Sequence, residues 1–280
     1  MKKDLDEQWL YDQTKDDESL RALATILQQR QYVYEHNRFI GGDTLSSLNL
    51  DRYRVWFRGC SAFSTLEVYY EIFKEENHFL LPEFSGLNET VVIDIGANEG
   101  FYALKIKEHN PACRVICVEP NPYLFEVMQN NVESNRLNNM ELVNKALAAD
   151  QGTIRFDIIK EIGPIGGRGL KLVDRPWLRE EFIRSIQVET ATLDDLFARF
   201  DLPGAGILKI DVEGMELEVL DGARTCLALV DKVVIERHSR NLRDGVVDFL
   251  TTHGFRLVYE EDPDITRYYG DLYFIKRKGN

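Results

Sequence analysis

Hydrophobic positions along this chain fall into two textures. From residue 1 to about 88 they recur at helical spacing or show no period. Leu20, Leu23, Ile26 and Leu27 predict a helix over 17–29, and Leu66, Tyr69, Tyr70 and Phe73 predict another over 64–76. The stretch between them, FIGGDTLSSLNLDRY, reads as loop, and Pro82 with SGLN closes the region. From Thr90 onward, short apolar runs rich in β-branched residues alternate with helical text. VVIDIG, RVICVE, MELVNKAL, GILKID and KVVIER predict strands. Helices are predicted over 99–109 and 122–134, from about 214, and over 242–252. GFRLVYE and DLYFIKRK predict an antiparallel pair near the end.

Such regular alternation implies an α/β fold with a doubly wound, mostly parallel sheet covered by helices on both faces. The predicted division is an N-terminal helical extension or cap over 1–88 and an α/β domain over 89–280. An insertion at about 151–187 interrupts the alternation. It opens with a predicted hairpin in GTIRFDII and continues into GPIGGRGLKLVDRPWLREEFIRS. That second part gathers Arg168, Lys171, Arg175, Arg179 and Arg184 among several glycines. It is either a solvated loop or a lid over a substrate.

Composition narrows the function classes. The 280 residues carry 47 acidic and 34 basic side chains, a formal charge of −13. A broad nucleic-acid-gripping face is therefore not expected, although a local basic pocket is not excluded. The first twenty residues hold no apolar run, so no secretory leader is expected, and no run is long enough for a membrane helix. Cys60, Cys113, Cys117 and Cys226 form no CxxC pair, which predicts buried free thiols in a reducing cytoplasm.

The densest chemical signal is Asp94-Ile95-Gly96-Ala97-Asn98-Glu99-Gly100, between the first predicted strand of the alternation and its helix. Ligands of open α/β sheets bind at such turns, where glycines admit close backbone approach. The spacing is G-x-x-x-G, neither the G-x-G-x-x-G of dinucleotide sites nor a phosphate loop ending in G-K-[ST]. An acid just before the turn suits a ligand bearing an ammonium group, such as the methionine end of S-adenosylmethionine. Glu119 ends the next strand, where a carboxylate can accept both ribose hydroxyls. Asn144 and Ala146 fall where the adenine edge would lie. In Leu208-Lys209-Ile210-Asp211-Val212-Glu213-Gly214-Met215-Glu216, charges interrupt an apolar strand at its carboxyl end. Asp211 is either a site carboxylate or a helix cap. The fifth strand ends likewise in Glu236-Arg237-His238. His36, His78, His109 and His253 read as surface or helix-end residues.

VVIDIGANEGFYALKI, CVEPNPYLFEVMQNN, VETATLDDLF, ILKIDVEGMELEVLDGA and VVIERH together resemble the FkbM family of S-adenosylmethionine-dependent methyltransferases. The resemblance covers about residues 85 to 277. It implies a Rossmann-like sheet of seven strands, the last one antiparallel, with S-adenosylmethionine as cofactor. It implies O-methylation of a hydroxyl on a small molecule, natural product or sugar. It also implies that Asp94, Gly96, Ala97, Asn98 and Gly100 line the methionine end and that Glu119 holds the ribose.

The [ND]-P-P-[YF] motif of exocyclic-amine methylation is absent after the fourth strand. Asn121-Pro122-Tyr123 instead starts a helix. His238 is the expected general base, because free imidazole titrates near neutrality, with Asp211 second and Glu236 beside them. Asp211 is also expected to reach the cofactor. Asp211 with Glu236 is the sparse oxygen pair a hard cation prefers, but without a dense ligand cluster no metal is expected. Arg168, Arg175 and Arg179 suit a carboxylate or phosphate on the acceptor. The expected partner is thus a small-molecule or sugar methyl acceptor, with a homodimer left open. An N-methyltransferase, another transferase on the same fold, and a silent cofactor-binding module stay open as alternatives.

Overall fold

The computed structural model describes residues 5–36, 42–159, 183–262 and 270–277. The N-terminal part holds α1 (Glu7–Gln13), α2 (Asp17–His36), the strands β1 (Leu45–Leu50) and β2 (Tyr53–Arg58), and α3 (Ala62–Phe73). β1 and β2 form an antiparallel hairpin, where the sequence had suggested loop. The correction has a local cause. Leu48, Leu50, Tyr53, Val55 and Phe57 alternate with polar or half-buried residues at period two, and Asp51 takes a left-handed φ of 49° in the two-residue turn. The predicted helices at 17–29 and 64–76 are found as α2 and α3.

The alternation then unfolds as expected: β3 (Val91–Ile95), α4 (Phe101–His109), β4 (Arg114–Val118), α5 (Pro122–Ser134) and β5 (Met140–Val143). β6 (Ala146–Leu147), β7 (Gly152–Ile159) and β8 (Ile183–Ala191) follow, with α6 (Leu193–Arg199), β9 (Ala205–Ile210), α7 (Glu216–Asp221), β10 (Val230–Arg237), α8 (Arg240–Thr252), β11 (Phe255–Glu260) and β12 (Gly270–Lys276). Caps fix several starts. Asn121 caps α5 ahead of Pro122, Thr192 and Asp195 form a reciprocal capping box on α6, and Ser239 caps α8.

Seven strands form the main sheet in the order β11-β12-β10-β9-β3-β4-β5. β10, β9, β3, β4 and β5 run parallel, and β12 is antiparallel to both β10 and β11. The chain builds outward from β3 in one direction and from β9 in the other. The topology therefore switches between β3 and β9, and open α/β sheets bind ligands in a crevice at such strand ends.

Two further strand predictions are corrected. MELVNKAL is not one strand: Asn144 turns its side chain onto the Glu119 and Pro120 carbonyls, and Ala146–Leu147 pairs instead with Thr190 and Ala191 of β8. GTIRFDII is not a hairpin by itself, because β7 pairs antiparallel with β8 from the far side of the insertion. β6, β8 and β7 make a separate three-stranded sheet.

Each sheet face has its own core. Ile93, Ile95, Leu208, Ile210, Val233 and Ile235 pack with residues of α6, α7 and α8 on one side. On the other, Val92, Val115, Ile207, Val234 and Tyr273 share a core with Leu10, Leu23, Leu50, Val55, Leu66 and Tyr69 of the N-terminal part. Tyr53 donates its hydroxyl to the Leu104 carbonyl, and the Trp56 N–H donates to Asn131. The first 88 residues thus complete the burial of the sheet face that carries α4. All four cysteines are buried and free, as expected.

Candidate functional site

The loop after β3 is shaped by backbone conformations that ordinary side chains resist. Gly96 has φ 77°, Asn98 φ 52° and Gly100 φ 84°. A Cβ on Gly96 would lie 1.7 Å from the Asp211 carbonyl oxygen, so only glycine lets the turn pass the end of β9. Glu119 then ties the turn to β4. Its carboxylate accepts the Asn98 N–H at 2.9 Å and the Asn121 N–H at 2.8 Å. Burial pushes its carboxyl up to about 7, against the pull of those two hydrogen bonds. Behind the turn, Thr65 of α3 donates to the Glu99 carboxylate at 2.6 Å, and Asn131 donates to the Glu99 carbonyl at 2.8 Å. The N-terminal part therefore braces the loop from inside the core.

Asp94 is fully buried, with Lys209 Nζ 3.2 Å from its Oδ1. Strand register dictates this pair, because Asp94 and Lys209 are direct neighbours on β3 and β9. The same ammonium lies 3.4 Å from Asp211 Oδ2 and donates to the Gly96 carbonyl at 3.2 Å. Burial opposes the charge on Lys209, but the Asp94 and Asp211 carboxylates raise its pKa. Burial also works against Asp211, yet Lys209 and His238 hold it well below the usual carboxylate range.

Asp211, Glu236 and His238 converge at the carboxyl ends of β9 and β10. One donor atom from each lies within 4.8 Å of the others. His238 Nδ1 is 2.8 Å from Glu216 Oε1. Its Nε2 faces Asp211 Oδ1 at 3.8 Å, Glu213 Oε2 at 3.8 Å and Glu236 Oε2 at 3.7 Å. Burial favours the neutral ring, but the Glu216 hydrogen bond and the charges of Glu236 and Glu213 raise its pKa to about 10. The near-neutral titration of free imidazole, on which its assignment as a base rests, is thus not the behaviour of the folded chain. Burial, reinforced by Asp211, holds Glu236 well above its ordinary value, so Asp211 is the ionised member of the pair.

His78 is a second departure. It is buried rather than superficial, with Nδ1 2.8 Å from Asp271 Oδ2 on β12. Asp271 stands opposite Glu236 in the β10–β12 register and also accepts the Tyr273 hydroxyl. Sequence reasoning missed this pair because the segments lie far apart in the chain. The signal was a lone acid beginning an apolar strand, DLYFI. Glu213 and Glu216 lie in the motif that follows β9, where only Asp211 stood out at the strand end. A left-handed turn at Glu213 (φ 54°) and Gly214 (φ 103°) delays α7 to Glu216 and brings Glu216 under His238.

The predicted cofactor residues Gly96, Ala97, Asn98, Gly100, Glu119 and Asn144 gather around the ends of β3, β4 and β5, with Asp94 buried beneath them. Ala146 follows two residues after Asn144, in β6 of the smaller sheet. Arg168, Arg175 and Arg179 lie outside the described residues. Arg184, at the insertion's end, donates to the Tyr123 hydroxyl at 2.8 Å.

Comparison with known proteins agrees with this geometry. The model of the methyltransferase FkbM domain matches residues 94–257, more than half of the chain. This chain belongs to the FkbM methyltransferase family. Three curated relatives are similar to this chain. The methyltransferase sdnD of Sordaria araneosa is 25% identical over 76% of this chain and 88% of its own length. The 31-O-demethyl-FK506 methyltransferase FkbM of Streptomyces tacrolimicus is 28% identical over 62% and 75% respectively. The hexuronic acid methyltransferase AglP of Haloferax volcanii is 30% identical over 54% and 57%. This chain is accordingly a methyltransferase on a Rossmann-like α/β fold. Among its described residues no helix is long and apolar enough to cross a membrane.

Proposed function

We propose that this chain transfers the methyl group of S-adenosylmethionine to a hydroxyl on a small molecule or sugar. The observation that carries the reading is one crevice with two unlike walls. One wall is the left-handed turn of Gly96 to Gly100 with Glu119. The other is the acidic cluster of Asp211, Glu213 and Glu236. The names of relatives that act on a 31-O-demethyl compound and on a hexuronic acid support a hydroxyl acceptor.

The residues present fit the cofactor. Glu119 uses two lone pairs on backbone N–H groups and keeps others for ribose hydroxyls. Asn121 Nδ2, at the same strand end, is buried without a hydrogen-bond partner. Carboxylates along β9 and β10 suit a cationic sulfonium. Gly96, Ala97, Asn98, Gly100, Glu119 and Asn144 would hold the cofactor, with Asp94 acting through Lys209. S-adenosylmethionine, when bound, supplies a methyl group already activated on sulfur. The chain's own task is then to orient an acceptor oxygen and take its proton. Asp211, kept ionised by Lys209, would orient the acceptor's O–H by accepting it in a hydrogen bond, the proton leaving as the methyl–oxygen bond forms. His238 stands beside Asp211 and Glu236, its Nδ1 held by Glu216.

Arg168, Arg175 and Arg179 remain proposed contacts to an acceptor carboxylate or phosphate. The first 88 residues are proposed to act as the cap that sets acceptor choice. Four buried thiols are in keeping with a reducing, cytoplasmic setting. Mass spectrometry of the ligand carried by the purified chain, followed by an acceptor screen with labelled methyl donor, tests the reading. Label on hydroxyl acceptors is expected. Label confined to amines, or a bound nicotinamide cofactor, contradicts it.

A further inference from the structure

We propose that Asp211, Glu236 and His238 form a divalent-cation site of the chemistry that suits Mn2+. The sequence suggested no ligand cluster, but the fold assembles one from two strand ends. An ion about 2.2 Å from each donor holds donors as far as about 4.4 Å apart. The separations of His238 Nε2 from Asp211 Oδ1 and Glu236 Oε2, 3.8 and 3.7 Å, fall within that reach.

Acidic side chains alone would not make a site. The independent observation is His238. Its side chain is only 8% exposed, and among the described residues its Nε2 makes no hydrogen bond, facing three carboxylates at 3.7–3.8 Å; an ion there would take the place of the proton those carboxylates favour on the ring. Its other ring nitrogen is fixed by Glu216, a fully buried carboxylate that also accepts the Gly214 N–H. A histidine aimed by an outer carboxylate, with its free nitrogen turned toward carboxylate oxygens, is the usual arrangement around a bound metal. Lys209 does not fill this role. It sits against Asp211 Oδ2, leaving Oδ1 directed to His238. Glu213 lies close enough to complete the shell or to receive a proton from a bound hydroxyl.

Two carboxylates and one imidazole favour an ion that accepts both oxygen and nitrogen, hence Mn2+ over Ca2+. Open positions would remain for an acceptor oxygen. This use of the ion rests on the methyl-transfer reading; the binding itself does not. An acceptor hydroxyl on the ion would be a stronger acid and a better-oriented nucleophile.

The test uses the full chain, stripped with chelator, titrated with MnCl2 alone by calorimetry and followed by electron paramagnetic resonance. One Mn2+ per chain is expected. Asp211→Asn, Glu236→Gln and Glu216→Gln should each weaken binding about tenfold or more, with thermal melts reporting that each variant is folded. Glu141→Gln, paired with Arg114 on the far sheet edge, should bind as wild type does. No saturable binding up to about 1 mM Mn2+, or equal binding in a folded Asp211→Asn, Glu236→Gln double variant, overturns the proposal. S-adenosylhomocysteine binding is measured separately on the same preparation. Mn2+ binding without nucleoside binding would count against the methyl-donor reading and leave the cation site standing.

Discussion

The two walls of the crevice solve opposite problems. At the ends of β3, β4 and β5, polar groups are satisfied by neighbouring backbone. Glu119 takes two N–H groups, and Asn144 donates to two carbonyls. At the ends of β9, β10 and β12, charged groups meet other charged groups from distant segments. Lys209 is shared by two carboxylates, and His238 is faced by four. The first wall is a finished cradle whose shape depends on glycine. The second holds an excess of negative charge that a cationic ligand would relieve.

That contrast can be broken in order of severity. Gly96→Ala should cause the largest loss, more than about 3 kcal/mol in denaturant unfolding, because a left-handed backbone and a backbone clash coincide there. Wild-type stability in this variant would mean the turn is not the rigid wall described. Asp211→Asn should leave the fold intact while lowering methyl transfer about a hundredfold, read as kcat with S-adenosylhomocysteine affinity little changed. An equal loss in cofactor affinity would merge the two walls into one. Asn144→Ala should weaken cofactor binding by only about threefold, since it braces Glu119 through its carbonyl.

A pH test separates the buried support from the wall itself. Burial raises the Glu99 carboxyl from 4.5 to about 8, against the Thr65 hydrogen bond. The folded state then binds the proton more tightly than the unfolded chain. Glu99 therefore makes stability fall as pH rises from about 4.5 to about 8. Glu99→Gln should flatten that decline in urea titrations across the same range. An unchanged slope would show that Glu99 is not the group responsible.

The sequence carried the first wall more fully than the second. Its chemistry lies in one contiguous segment plus a strand end, and β-branched runs mark the strands that position them. The β1–β2 hairpin escaped notice because short alternating text with serine and asparagine resembles loop until its turn is recognised. Ala146 was read into the third strand, but β5 ends at Val143, where a side-chain hydrogen bond from Asn144, invisible to periodicity, turns the chain. On the second wall, Asp211, Glu236 and His238 were visible as charges ending apolar strands. Their neighbours His78, Asp271 and Glu216 were not, because register and a left-handed turn bring them in. The near-neutral pKa assumed for His238 failed for the same reason: the carboxylates that raise it come from other elements.

Binding of S-adenosylhomocysteine to the wild type and to Glu119→Ala, measured by calorimetry, tests the central claim most directly. Saturable binding of one molecule per chain, weakened about tenfold or more in a folded Glu119→Ala, is the predicted result. No binding to the wild type, or equal affinity in the variant, would contradict it.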